Sequence, residues 1–166
     1  NGQLRAKLQT WTVNLFQKYV DIISEDDGIL EAAENAEFGI EYTHLYSPRK
    51  LRESVYVRDQ DNNIKYGLPD LQKVDGEEVA ANYHSPIIGW AYDGNPIYGP
   101  YGYETQTGGF IKAMESGYNP VTAANRPSLS TFPQGFFVED FGYENSGDLD
   151  EHNGRFCITP DYPNGV

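Results

Sequence analysis

Four side chains carry the types from which a divalent-metal site or a general acid–base pair is built: His84, Asp93, Asp150 and His152. Each also has a plainer use. Asp93 lies in Asp93-Gly94-Asn95-Pro96, where an aspartate before glycine ordinarily bonds its own backbone. His84 precedes Ser85-Pro86 and suits a hydrogen-bonded, half-buried position, and His44 on an alternating stretch is plainer still. His152 stands beside Asp150 and Glu151, better company for a metal.

Other constellations fail on spacing. Asp150 and Glu151 are adjacent, so a strand would turn them to opposite faces and they do not make a glycosidase pair. Asp59 to Asn63 with Asp70 has the acid spacing of a calcium loop, but Ile64 occupies the place that loop reserves for glycine, and a hairpin turn explains the segment better. The acid-rich stretch from Glu139 to Glu151 offers oxygen ligands for calcium, which makes calcium the expected ion if any is held, although a solvated acidic face uses the same residues. No nucleophile-elbow, Walker A, zincin or dinucleotide glycine pattern is present. Cys157 is the one cysteine, which excludes an internal disulfide and a thiolate zinc site within these residues.

The charge balance narrows the partners. With 25 acids against 12 bases, the net charge of -13 repels phosphate backbones and anionic lipid, so neither nucleic acid nor membrane is an expected partner. No apolar run approaches the roughly 20 residues of a membrane-spanning helix.

Positioning these side chains falls to a chain of 166 residues with 13 Tyr, 17 Gly and 10 Pro, a mixture suited to short strands joined by special-backbone turns. Leu4, Leu8, Trp11, Leu15, Tyr19 and Ile22 recur at steps of four and three and predict an N-terminal amphipathic helix that Gly28 stops, against the β-branched Thr10, Thr12 and Val13. Residues 29–37 fit a short helix or a loop. Alternation in Ile40-Glu41-Tyr42-Thr43-His44-Leu45 predicts a strand ended by Pro48. Val55 to Arg58 and Ile64 to Tyr66 predict a hairpin, and residues 69–78 read as loop, with or without a one-turn helix. The expected class is α+β, predominantly antiparallel β with the N-terminal helix. The expected division is an N-terminal helix and hairpin region over residues 1–79 and a second domain over residues 80–166.

The segment from Asn82 to Tyr103 is the most distinctive. Asp93-Gly94-Asn95-Pro96 is a tight-turn signal between the strand-like pieces Ile87 to Tyr92 and Ile97 to Tyr98, and six aromatics form a ridge along it. Its Ser85-Pro86-Ile87-Ile88-Gly89, Asp93-Gly94 and Pro96-Ile97-Tyr98-Gly99-Pro100-Tyr101-Gly102-Tyr103 closely resemble the central motif of the YHYH domain family. Arg126-Pro127-Ser128-Leu129, Phe137-Val138-Glu139-Asp140-Phe141, Leu149 to Phe156 and Thr159 to Gly165 resemble the family's later blocks, so the resemblance spans about residues 80 to 166. The Tyr-His-Tyr-His tetrad that names the family follows a turn like Pro163-Asn164-Gly165 and is not among the 166 residues; both ends read as cut from something longer.

Members of this family occur in bacterial exported proteins and in large structural proteins of tailed phages that infect marine cyanobacteria, and Thr43 to Arg52 and the expected helix from Leu8 to Tyr19 are more similar to the phage copies. The resemblance implies a non-enzymatic structural or interaction module of a virion tail, fibre or baseplate-associated protein, virion-borne or extracellular. Other protein subunits, or further copies of the chain, are the expected partners. Rival readings are an exported metal-binding protein or hydrolase-like enzyme using His84, Asp93, Asp150 and His152, and a carbohydrate-binding module that grips a host-surface glycan through the aromatic ridge.

Overall fold

The computed structural model describes residues 7–8, 11–12, 28–32, 40–44, 47, 51–52, 55–58, 61–66, 70–74, 77–80 and 82–166. Within them the strands run β1 (Lys7–Leu8), β2 (Trp11–Thr12), β3 (Gly28–Ala32), β4 (Ile40–His44), β5 (Tyr56–Arg58), β6 (Ile64–Tyr66), β7 (Leu71–Val74), β8 (Glu77–Ala80), β9 (Ile87–Trp90), β10 (Pro96–Tyr98), β11 (Tyr101–Thr105), β12 (Gly108–Ala113), β13 (Tyr118–Pro120) and β14 (Phe141–Tyr143). Each pairs antiparallel with one partner, β13 with β14 and every other strand with its sequence neighbour.

Among the described residues the expected N-terminal helix is replaced at Lys7–Leu8 and Trp11–Thr12 by a strand pair, and the class is β rather than α+β. Lys7 pairs with Thr12 and Leu8 with Trp11. The step of three from Leu8 to Trp11 that suggested a helical stripe is equally the step between the two residues flanking a two-residue hairpin link, and β-branched Thr12 favours the strand. The rest of the expected helix lies outside the described residues. Gly28 opens β3 instead of closing a helix, and Ile29 to Ala32, left open between helix and loop, pair with Ile40 to Thr43. Residues 69–78, read as loop, contain β7 and the first half of β8. Among the described residues helical geometry is confined to one turn at Leu51–Arg52 and a 3-10 turn at Val138–Asp140.

The chain divides into two compact units. One comprises Asn1–Ser24 with Glu115–Gly154, the other Glu25–Met114 with Arg155–Val166. In the first unit Phe137 is fully buried among Trp11, Phe132 and Phe136, with ring centroids 5.1–5.5 Å away. Arg126 lays its guanidinium 5.4 Å from the Phe137 ring centre. Asp140, also fully buried, takes that guanidinium through both oxygens. The other Arg126 N–H groups donate to the Pro127, Phe132 and Pro133 carbonyls at 2.8–2.9 Å, so all five donors are used. Asp140 accepts in addition from the backbone N–H groups of Gly135 and Phe137, at 2.9 and 3.1 Å.

The second unit repeats the device. Arg52 and Asp70 are 2% and 1% exposed and lie 3.1 Å apart. Ser85 Oγ donates to Asp70 Oδ2 and accepts the Tyr101 N–H at 3.0 Å, while Arg52 Nη1 donates to the Ser47 carbonyl and hydroxyl. Gly99 makes room for this knot: a Cβ there would lie 2.6 Å from Arg52 Cδ and 2.8 Å from Ser85 Cβ. Among the described residues Val57, Tyr101 and Phe137 are the buried hydrophobic side chains beside these charges. No buried side-chain nitrogen or oxygen among the described residues lacks a partner.

Two outcomes follow from the buried pairs. Arg52→Ala leaves the Asp70 carboxylate buried without its cation and is expected to lower stability by about 3–5 kcal/mol in urea unfolding. Hydrogen bonds from Arg126 first, then from Phe137 and Gly135, hold the Asp140 carboxyl below its ordinary value. A depressed carboxyl stabilises above its unfolded pKa, and that stability is lost as pH falls through the folded one. Thermal melts from roughly pH 5 downward are therefore expected to fall steeply, with a shallower slope in Asp140→Asn, which starts from a lower Tm at neutral pH.

Candidate functional site around the β9–β10 hairpin

Ile87 to Trp90 is rich in β-branched and aromatic residues, and the turn that follows supplies the residues a reversal needs. Pro96 pairs with Trp90, Ile97 with Gly89 and Tyr98 with Ile87, with a bulge between Ile97 and Tyr98. The turn runs through Ala91 to Asn95. Ala91 N–H donates to the Asn95 carbonyl at 2.9 Å, and Gly94, at φ +88°, donates back to Ala91 at 3.0 Å. Asp93 Oδ1 accepts the Asn95 N–H at 3.0 Å, a bond that holds its carboxyl below the usual range. Asp93 thus fixes the loop that carries it.

The two ends of this hairpin differ in kind. At the tip, Trp90 is 58% exposed and Tyr92 fully so, with Ile97 also exposed. At the base, Ser85 N–H donates to the Tyr101 carbonyl at 2.8 Å while Tyr101 N–H donates to Ser85 Oγ, and Gly99 N–H reaches the Pro86 carbonyl at 3.2 Å. His84 is buried between Tyr98 and Tyr103, ring centroids 4.9 and 5.2 Å away. Its Nδ1 lies 2.8 Å from the Ser85 carbonyl oxygen, which accepts only, so Nδ1 carries the proton and donates. Tyr98 OH shares a bond of 2.8 Å with Thr159 Oγ1 and donates to Asp161 Oδ2 at 3.4 Å. Burial pushes the Tyr98 phenol up, so it stays protonated at neutral pH. Arg155 Nη2 closes the base by donating to the Tyr103 carbonyl at 2.6 Å.

The four residues singled out for chemistry are not gathered by this architecture. His84 and Asp93 belong to the second unit, one buried at the hairpin base and the other exposed at its tip, while Asp150 and His152 belong to the first. Asp150 Oδ1 accepts the N–H groups of Gly154 and His152 at 2.9 and 2.8 Å, bonds that hold its carboxyl low. The His152 side chain is 83% exposed with Nε2 3.5 Å from Glu151 Oε1. Among the described residues no three His, Cys, Asp or Glu side chains are grouped as metal ligands.

Sequence reasoning missed the groups that do converge: Arg52, Asp70 and Ser85 under the hairpin, and Tyr98, Thr159 and Asp161 beside His84. Their separations of 15 to 63 positions leave no local pattern. The one available signal was the family blocks: Arg126 of one block grips Asp140 of another, and Tyr98 of the central motif meets Thr159 and Asp161 of the last. Chemically, Ser85 is occupied on both sides and Tyr98 holds its proton, so this network fixes geometry rather than moving protons.

His84 gives the network a pH signature. Burial, the largest influence, lowers its pKa against the raising effects of the Ser85 carbonyl, Asp161 and Asp70. The unfolded chain then binds the proton more readily, so stability is full above roughly pH 6.5 and declines as pH falls toward the lowered folded value. Melts between about pH 7.5 and 5.5 are expected to show this decline, and His84→Gln should flatten it while leaving the steeper loss in the carboxylate range.

No curated protein and no solved structure matches the chain. The profile of the family described as "YHYH protein" matches residues 39–166, beginning ahead of the Asn82–Tyr103 segment and running through all the blocks joined above. Arg52 and Asp70, whose bonds anchor Ser85 at the hairpin base, lie inside that match. On this match, the chain belongs to the YHYH family.

Proposed function

We propose that this chain is a non-catalytic interaction module of a larger virion appendage protein, carried on the particle or outside the cell, that docks on neighbouring protein subunits through the tip of its β9–β10 hairpin. The carrying observation is the contrast between the hairpin's two ends. Trp90 and Tyr92 present apolar surface to solvent, while Asp93 and Gly94 fix the turn and the Ser85–Asp70–Arg52 knot fixes the base. Rigid aromatics lose little entropy when covered and are the side chains that dominate interface energetics. The residues of the rival metal-dependent enzyme are already engaged: Asp93 and Asp150 by their own loops and His84 by a backbone carbonyl. The virion setting draws its support from the similarity of Thr43 to Arg52 to the phage copies of the family.

A second reading, a carbohydrate-binding module, is favoured by the same exposed rings beside the polar Asp93 and Asn95. It shares the tip and differs in the ligand.

A photo-crosslinking residue at Tyr92 in particles carrying the full parent protein is expected to trap a neighbouring virion subunit. Trp90→Ala should weaken that contact by about 2 kcal/mol or more, roughly thirtyfold in Kd, without moving Tm. Glycan-array binding lost on Trp90→Ala, with no protein crosslink, would establish the carbohydrate reading instead. Stoichiometric metal found by elemental analysis and lost on changing His84 and His152 would overturn both.

A further inference from the structure

The sequence contains three Asn-Gly dipeptides, at Asn1, Asn153 and Asn164, of which the last two are described. Glycine after asparagine leaves the backbone nitrogen unshielded by a side chain, so that nitrogen can approach the preceding side-chain carbonyl. The two described dipeptides sit in different chemical surroundings.

Asn153 has φ +56° and ends a loop that Asp150 organises. Its N–H donates to the Asp150 carbonyl at 3.0 Å. The Gly154 N–H donates to Asp150 Oδ1 at 2.9 Å, and Ser116 Oγ donates to Asn153 Oδ1 at 2.8 Å. A base therefore lies on the proton of the attacking nitrogen, and a donor lies on the oxygen where negative charge develops. At Asn164 the surroundings are different: the Gly165 N–H donates to the Tyr162 carbonyl at 3.0 Å, an oxygen that does not take a proton at neutral pH.

The geometry points to Asn153 as a self-modification site, converting to aspartate and isoaspartate with Asp150 as proton acceptor and Ser116 as donor to the reacting carbonyl. The Gly154 nitrogen gives its proton to Asp150 Oδ1 and forms a bond to Asn153 Cγ, whose oxygen is held by Ser116. The tetrahedral centre collapses with breakage of the Cγ–Nδ2 bond, and Nδ2 takes the proton back from Asp150 and leaves as ammonia. Water then opens the resulting succinimide at either carbonyl, giving aspartate or isoaspartate. The product adds a negative charge to a loop that already carries Asp148, Asp150 and Glu151, and the iso form inserts a methylene into the backbone beside Gly154.

The full chain, incubated at neutral pH and mapped by peptide mass spectrometry with separation of the isoaspartyl form, tests this. Asn153 is expected to convert at least about tenfold faster than Asn164 in the same molecule. The two rates should converge in denaturant. Asp150→Asn keeps an oxygen acceptor for both loop N–H groups and removes the base, so it should slow Asn153 by about tenfold and leave Asn164 unchanged; Ser116→Ala should slow it less. Equal rates in the folded chain, a difference that persists in denaturant, or an Asp150→Asn chain that converts as fast or faster would each overturn the assignment.

Discussion

A buried carboxylate is tolerable only when a cation and enough hydrogen-bond donors meet it, and both units of this chain are arranged around meeting that demand. Asp140 draws Arg126, Gly135 and Phe137 onto one point; Asp70 draws Arg52 and Ser85 onto another. Because the strands among the described residues are paired two by two, no broad sheet there imposes a register beyond each pair. The directional bonds of the two arginines therefore specify which loops lie together, a task that apolar burial, being non-directional, performs poorly. Apolar contacts still contribute: Phe137 fills the space against Arg126, and Val57 and Tyr101 are enclosed in the other unit.

This division of labour explains what the sequence disclosed. Turns were legible because their signals are local. Asp93 before Gly94 reads as a self-bonded turn and makes that bond to Asn95 N–H; the hairpins at Tyr56–Tyr66 and Ile87–Tyr98 announced themselves by turn residues between apolar pieces. The strand at Ile40 was legible by alternation. Periodicity misled at the N-terminus, where a step of three between Leu8 and Trp11 fits a hairpin as well as a helix and the pairing is decided by partners far away, Trp11 lying against Phe137. Polar composition misled over residues 69–78, where backbone pairing of Leu71 to Val74 with Glu77 to Ala80 overrides it. The knots themselves were not legible, since nothing in the neighbourhood of Arg52 names Asp70 as its partner, nor anything beside Asp70 names Ser85.

The functional reading depends on the same point. Histidine and aspartate invite catalytic interpretation, yet each candidate other than His152 is committed by geometry to a backbone group: His84 to the Ser85 carbonyl, Asp93 to Asn95, Asp150 to His152 and Gly154. What is left uncommitted in the central motif is aromatic surface. The proposed docking role uses that surface, which the polar contacts at the turn and at the base hold in place.

The second unit is discontinuous along the chain, its Glu25–Met114 part being completed by Arg155–Val166 after the intervening residues of the first. Arg155 reaches Tyr103 across 52 positions, and Tyr98 reaches Asp161 across 63. During synthesis, therefore, Ser85 and Tyr101 can pair as the hairpin emerges, but the contacts of the base with Arg155, Thr159 and Asp161 must wait until the whole of Glu115–Gly154 has left the ribosome. The wait is set by the rate of synthesis, and Tyr98 and Tyr103 lack these partners until it ends. The first unit has a contiguous 40-residue segment available earlier, so the order of synthesis favours its assembly ahead of the unit that encloses it in sequence.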